Sequence, residues 1–163
     1  MSQSLKVIKN RIKGVGDTQK VTNAMQMVSV AKLNRVAKIL YAIRPYILKL
    51  EGLLNNLAAL ESEIGHPLLE KRMPVKKKAL CVITSDNGLC GLYNTGVLHS
   101  VEDFLSRNGK DDIIIAVGKR GYNFFKSKAV AVHSVYLGLN GRYNYEVADN
   151  ISKELIDLFL KKK

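Results

Sequence analysis

The residues best placed for chemistry lie in one stretch, Ser85-Asp-Asn-Gly-Leu-Cys-Gly-Leu-Tyr-Asn94, a glycine-rich loop that follows an apolar run. In α/β folds such loops often hold ligands. Three kinds of chemistry are open to it. A phosphate cradle is the first, but neither GxGxxG nor Gly-Lys-Ser/Thr is present, which excludes a P-loop in its usual form. A cysteine nucleophile at Cys90 is the second. It needs a base, and His66, His99 and His133 stand at uninformative spacings. The third is a structural loop, in which Gly88 and Gly91 allow tight turns while Asp86 or Asn94 caps backbone donors; this reading is favoured. Two cysteines and three scattered histidines show no metal-ligand spacing, so no metal and no cofactor are expected. Glu102-Asp103 and Asp111-Asp112 read as solvated charges and form no acid–base dyad. Val117-Gly-Lys-Arg-Gly121 could seat an anion at a helix start, though a turn with a charged rim explains it as well and is preferred.

The elements that would position these residues follow from pattern. Ala79–Thr84 and Asp112–Val117 are short, continuously apolar runs, as buried parallel strands are. A third strand is expected over Ala129–Leu137. Helices are expected over Val97–Ser106, Arg120–Lys128 and Tyr145–Leu160, with loops at Ser85–Gly96 and Gly138–Asn144. Alternating strands and helices predict a parallel sheet with right-handed crossovers. Three strands make a small, incomplete Rossmann-like unit. Cys81 and Cys90 are read as free thiols.

Before this unit the grammar is different. From Leu5 to Leu57 apolar residues recur every three or four positions: Leu5, Ile8, Ile12, Val15, then Val21, Met25, Val28, then Val36, Ile39, Ile43, Ile47, Leu50, Leu54, Leu57. That is helical spacing, with register slips near Thr18–Gln19 and Lys32–Val36. About 55 helical residues span roughly 80 Å, far more than a domain of this size, so the helix is expected to lie against other chains. Pro45 predicts a kink or a break near Arg44. Gly14 and Gly16 weaken the helix locally. Thr18, Gln19, Thr22, Asn23, Gln26 and Ser29 crowd one segment with small and amide-bearing side chains, which suggests hydrogen bonding to partners on more than one side. The domain reading is therefore 1–60, a long basic coiled-coil helix; 61–77, a connection with turns at Gly65-His66-Pro67 and Met73-Pro74; and 78–163, an α/β domain.

The net charge of +12 is uneven. Residues 1–50 hold ten Lys or Arg against one acid, Asp17. Such an arm suits nucleic acid, anionic lipid or an acidic protein surface. It lacks the aromatic interleaving of a single-strand binder and the phosphate-facing stripe of a duplex binder. No run approaches the ~20 apolar residues of a membrane span. The N-terminus lacks the apolar core of a secretory signal, and both features point to a cytoplasmic setting.

Several of these stretches resemble one family, the gamma subunit of the F-type ATP synthase. They are Ser4-Leu-Lys-Val-Ile-Lys-Asn-Arg-Ile-Lys13, Thr18-Gln-Lys-Val-Thr-Asn-Ala-Met25, Met27-Val-Ser-Val-Ala-Lys-Leu33 and Thr84-Ser-Asp-Asn-Gly-Leu-Cys-Gly-Leu-Tyr-Asn94. Arg44-Pro45-Tyr46, His66-Pro67 and Val117-Gly118-Lys119 followed by Phe124-Phe125 agree in position. The resemblance implies a non-catalytic central-stalk rotor subunit. Its N-terminal helix would pair with a C-terminal helix inside the ring of alpha and beta subunits. Its α/β domain would meet the epsilon subunit and the c-ring. Lys9, Lys20, Met25, Lys32 and Arg35 would face the ring, and Asp86, Gly88, Cys90, Gly91 and Asn94 would shape the loop. The implied location is peripheral, on the cytoplasmic face of the bacterial inner membrane, with membrane contact only through partner subunits. Three departures stand out: Gly14 and Gly16 in the helix, Asn87 in place of a usual basic residue, and Leu92 in place of a usual glycine. The family also continues well past Lys163, so a truncated or fragment form is expected. A basic-helix nucleic-acid-binding protein and a Cys90 enzyme are the competing readings.

Overall fold

The computed structural model describes residues 2–60, 65–70, 73–75, 77–108, 112–140 and 144–161, with the side chains of the first helix described from residue 4. The chain divides into two compact units, Met1–Ala59 and Leu60–Lys163.

The first unit is a single helix, α1 (Ser2–Ala59), of 58 residues. The periodic apolar side chains from Leu5 to Leu57 are each at least 40% exposed. A lone helix has no core, so its apolar ladder stays in solvent. Of the two outcomes expected at Pro45, a kink or a break near Arg44, the break does not occur: α1 runs through Pro45 as one helix. Proline removes the N–H that would serve the carbonyl of Tyr41. Tyr41 and Pro45 are both exposed, so water can take that bond at this point. The helix also passes through Gly14 and Gly16. Its hydroxyls turn inward: Thr18 Oγ1 donates to the Gly14 carbonyl at 2.9 Å, Thr22 to Thr18 at 2.9 Å, and Ser29 to Met25 at 2.8 Å. These three exposed hydroxyls therefore donate to their own backbone, which leaves their oxygens as acceptors.

The second unit carries a three-stranded parallel sheet in the order β1-β2-β3. The strands are β1 (Ala79–Ile83), β2 (Ile113–Val117) and β3 (Ser134–Tyr136). Helices α2 (Tyr93–Asn108), α3 (Lys119–Ser127) and α4 (Tyr145–Leu160) alternate with or follow them. Cys81 pairs with Ile115, and Ile115 with Ser134, which fixes the register. One sheet face carries Val82, Ile114 and Ala116 against Val101 of α2 and Phe125 of α3, with Leu80, Tyr122 and Phe124 packed around them. Ile115 and Val117 point the other way by strand alternation, and both are buried. The Tyr136 hydroxyl, on that second face, donates to Glu154 of α4 at 2.7 Å. Leu158 of α4 is buried as well. The α/β architecture and parallel pairing read from the alternation are found.

Some boundaries differ. α2 begins at Tyr93, four residues earlier than the apolar spacing indicated. β3 covers only Ser134–Tyr136: the Ala129 and Val130 N–H groups return to the Lys126 and Phe125 carbonyls at 3.2 and 3.0 Å, and the first bond onto β2 comes from the His133 N–H to the Ile114 carbonyl at 2.8 Å. Ala129 there adopts φ 52°.

Candidate functional site

The 85–94 loop sits at the carboxyl end of β1, where open α/β sheets place their ligand crevices. Here the loop's own side chains bond the surrounding backbone. Asp86 Oδ1 accepts from the Lys119 N–H at 3.0 Å and the Gly138 N–H at 3.3 Å, and Oδ2 accepts from the Asn140 N–H at 2.8 Å. The N-cap of α3 is Gly118, which has no side chain to offer, so Asp86 serves that helix start from 33 residues away. Hydrogen bonds to the charged form, that from Asn140 first, hold the Asp86 carboxyl below its usual range. The anion seat suggested by Val117–Gly121 is thus occupied by a carboxylate of the chain itself.

Asn94 organises the other side of the loop. Its Oδ1 accepts from the Ser85 N–H at 3.0 Å, and its Nδ2 donates to Ser85 Oγ at 2.8 Å and to Cys90 Sγ at 3.0 Å. Ser85 Oγ also donates to the Asn87 carbonyl. The Tyr93 hydroxyl donates to the Ile83 carbonyl at 2.9 Å. Gly91 takes φ 57°, a conformation that favours glycine. At Gly88 a Cβ would run into the Arg120 guanidinium. Leu89, at φ 62°, is 90% exposed. Asp86, Gly88, Cys90 and Gly91 lie in the loop itself, and Asn94 bonds back to it from the first turn of α2.

Cys90 has Asn94 and Ser85 as neighbours, and no described histidine is hydrogen-bonded to it. His99 lies 3.6 Å from Glu102, His133 lies 3.5 Å from Glu154, and His66 Nδ1 accepts from the Leu68 N–H. A thiol–imidazole pair is therefore not assembled at Cys90 among the described residues. Cys81 and Cys90 are both free. Burial, then the Glu154 carboxylate, pushes the Cys81 thiol above its usual value. Among the described residues no group of three or more His, Cys, Asp or Glu could hold a metal ion. None of the described helices is long and apolar enough to cross a membrane.

The sequence pattern places Thr84 at a strand end and Gly118 in a turn, but does not reveal that the two meet. Thr84 Oγ1 is buried, donates to the Val117 carbonyl at 3.1 Å and accepts from the Gly121 N–H at 2.8 Å. Gly118, at φ 96°, brings its Cα so close to Thr84 that a Cβ would overlap the Thr84 carbonyl oxygen. A polar residue ending one apolar strand and a glycine ending the next were the available signals.

On α1, Lys9, Lys20, Met25, Lys32 and Arg35 do not form one patch. At 100° per residue, Lys9 and Lys20 fall within roughly 20° of each other, while Met25 and Lys32 lie on nearly the opposite side and Arg35 between them. Lys20 is 3.8 Å from Asp17, an exposed pair.

The first unit is a long, basic helix with an exposed apolar ladder, and the unit that follows it in sequence is a parallel three-stranded α/β fold. The model of the ATP synthase family matches residues 4–163. Among curated relatives, the ATP synthase gamma chain of Trichlorobacter lovleyi is 41% identical over 161 residues, 96% of this chain and 55% of the relative. That of Geotalea uraniireducens is 38% identical over 160 residues, 96% of this chain and 55% of the relative. That of Heliobacterium modesticaldum is 35% identical over 153 residues, 93% of this chain and 52% of the relative. The chain belongs to the ATP synthase gamma-chain family. It spans about half the length of the curated relatives it matches.

Proposed function

We propose that the chain acts as a central-stalk rotor subunit of a proton- or sodium-translocating F-type ATP synthase. In this reading it is a mechanical, non-catalytic part that couples ion flow to ATP synthesis in neighbouring subunits. The match of the family model over residues 4–163 carries the proposal. The 58-residue arm supports it, because its apolar ladder is exposed and needs another helix or a surrounding ring to cover it. Residues 1–60 would supply one strand of the shaft. Lys9, Lys20, Lys32 and Arg35 would meet acidic surfaces of the alpha and beta subunits, with Met25 among the contacts. Residues 78–163 would lie toward the epsilon subunit and the c-ring, on the cytoplasmic face of the bacterial inner membrane. Membrane contact would run only through those partners.

Co-expression with alpha and beta subunits tests the reading. Full-length chain is expected to co-purify with them, and deletion of residues 1–35 to abolish the association. Undiminished co-purification of the deletion variant would overturn the proposed role of the arm. Tight DNA binding that weakens steeply with salt, with no subunit association, would favour a nucleic-acid-binding arm instead.

A further inference from the structure

Asp86 joins three segments that are far apart in sequence. Its two oxygens accept from Lys119 at the start of α3 and from Gly138 and Asn140 in the turn after β3. Gly138 and Asn140 have φ values of 78° and 47°, so neighbouring N–H groups of this turn converge on one anion, as in a backbone nest. The Asn87 amide beside it donates to Asn140 Oδ1 at 3.3 Å. The Arg120 N–H donates to the Ser85 carbonyl at 3.1 Å, and the Gly118 N–H to the Tyr136 carbonyl at 2.8 Å. Each segment is thereby tied to the other two, and the carboxylate is the one group shared by all three contacts. We infer that Asp86 is a latch that makes the 85–94 loop, the first turn of α3 and the 137–140 turn open and close as one unit.

The physical basis is geometric frustration relieved at a single point. Leu89 and Asn140 are non-glycine residues with positive φ, a conformation held only where surrounding bonds over-determine it. The Gly138 and Asn140 amides of the 137–140 turn both donate to this one carboxylate. Losing Asp86 removes the one group common to the three segments and leaves only the pairwise bonds Arg120–Ser85, Gly118–Tyr136 and Asn87–Asn140 between them, while β2, buried in the middle of the sheet, keeps its ladder. Among the described residues the charged groups beside Asp86 are Lys119 and Arg120 of α3. Cys90 and Tyr93 are the other titratable groups of its own loop, and the 137–140 turn contributes none.

Amide-resolved hydrogen exchange on the full chain tests this, comparing the parent with D86A and D86N. In D86A the Lys119, Gly138 and Asn140 amides are expected to exchange faster by a common factor of about ten to a hundred, the range expected from losing charge-assisted hydrogen bonds. The Ile114, Ile115 and Ala116 amides are expected to change far less. D86N keeps one acceptor oxygen and should fall between. Unrelated factors at the three amides, or one uniform acceleration that includes β2, would overturn the latch, since the first means independent loops and the second a purely global stability effect. Should D86A not fold, the parent chain decides by pH. The Asp86 carboxyl titrates below its ordinary value of 3.8, so the latch is closed above that range and opens as pH falls through the lower, folded-state value. The three amide resonances should then move with one shared midpoint below 3.8. Separate midpoints, or one at the ordinary value, would refute the inference.

Discussion

At the scale of single residues, the second unit depends on a few atoms where strands end. Thr84 and Gly118 form one such contact: a buried hydroxyl that donates to Val117 and accepts from Gly121, against a glycine with no room for a side chain. We predict that Gly118→Ala destabilises the chain by about 2–4 kcal/mol, combining left-handed strain with a steric clash. Thr84→Val keeps the shape and strands the Gly121 N–H, and should cost about 1–3 kcal/mol. Urea denaturation followed by near-ultraviolet signals from the tyrosines of the α/β unit measures both. Equal stability of Gly118→Ala and the parent would contradict the close approach described. The sequence could not announce these contacts in full. A backbone N–H has no residue type, so the donors to Asp86 at Lys119, Gly138 and Asn140 are visible only once the sheet brings them together. Asn94 was legible as a capping residue in kind, but its thiol and hydroxyl neighbours were not.

At the scale of elements, legibility followed the strength of the local pattern. α4 was readable end to end because its amphipathic spacing is backed by a start signal: Asn144 accepts from the Glu146 N–H at 2.9 Å. α2 begins earlier than its apolar residues suggest, because Tyr93-Asn-Thr-Gly96 reads as a turn by type, yet the Gly96 N–H reaches the Leu92 carbonyl at 2.8 Å. β3 was overread because Val130 and Val132 alternate like a strand while packing onto the core ahead of the ladder. α1 was legible in extent, and of the kink or break expected at Pro45 the break does not occur, because a proline with a solvated carbonyl one turn before it does not force one. The exposed ladder of α1 leads to an expected behaviour. In sedimentation velocity the isolated full chain should self-associate in a concentration-dependent way, and Ile43→Ser with Ile47→Ser and Leu50→Ser should suppress this. A parent chain that stays monomeric, with α1 amides strongly protected from exchange, would show that the ladder is covered by other means.

For the whole molecule, charge is the property that no single residue carries. The first 50 residues hold ten bases and one acid, and their arm is the more basic part of a +12 chain. If the proposed ring of acidic surfaces receives it, association should weaken with salt. Between about 0.1 and 1 M the screening length falls from about 10 to about 3 Å, so co-purification with alpha and beta subunits should drop across that range. Retention unchanged across it would mean that apolar contacts dominate. The azimuthal placement of the arm's candidate contacts adds a constraint on any such partner. Lys9 and Lys20 look one way, and Met25 and Lys32 nearly the opposite way. A flat surface could read only one of these sides at a time. An enclosing bearing would meet all of them, and would feel a different chemistry at each angular position, as a follower does on a cam.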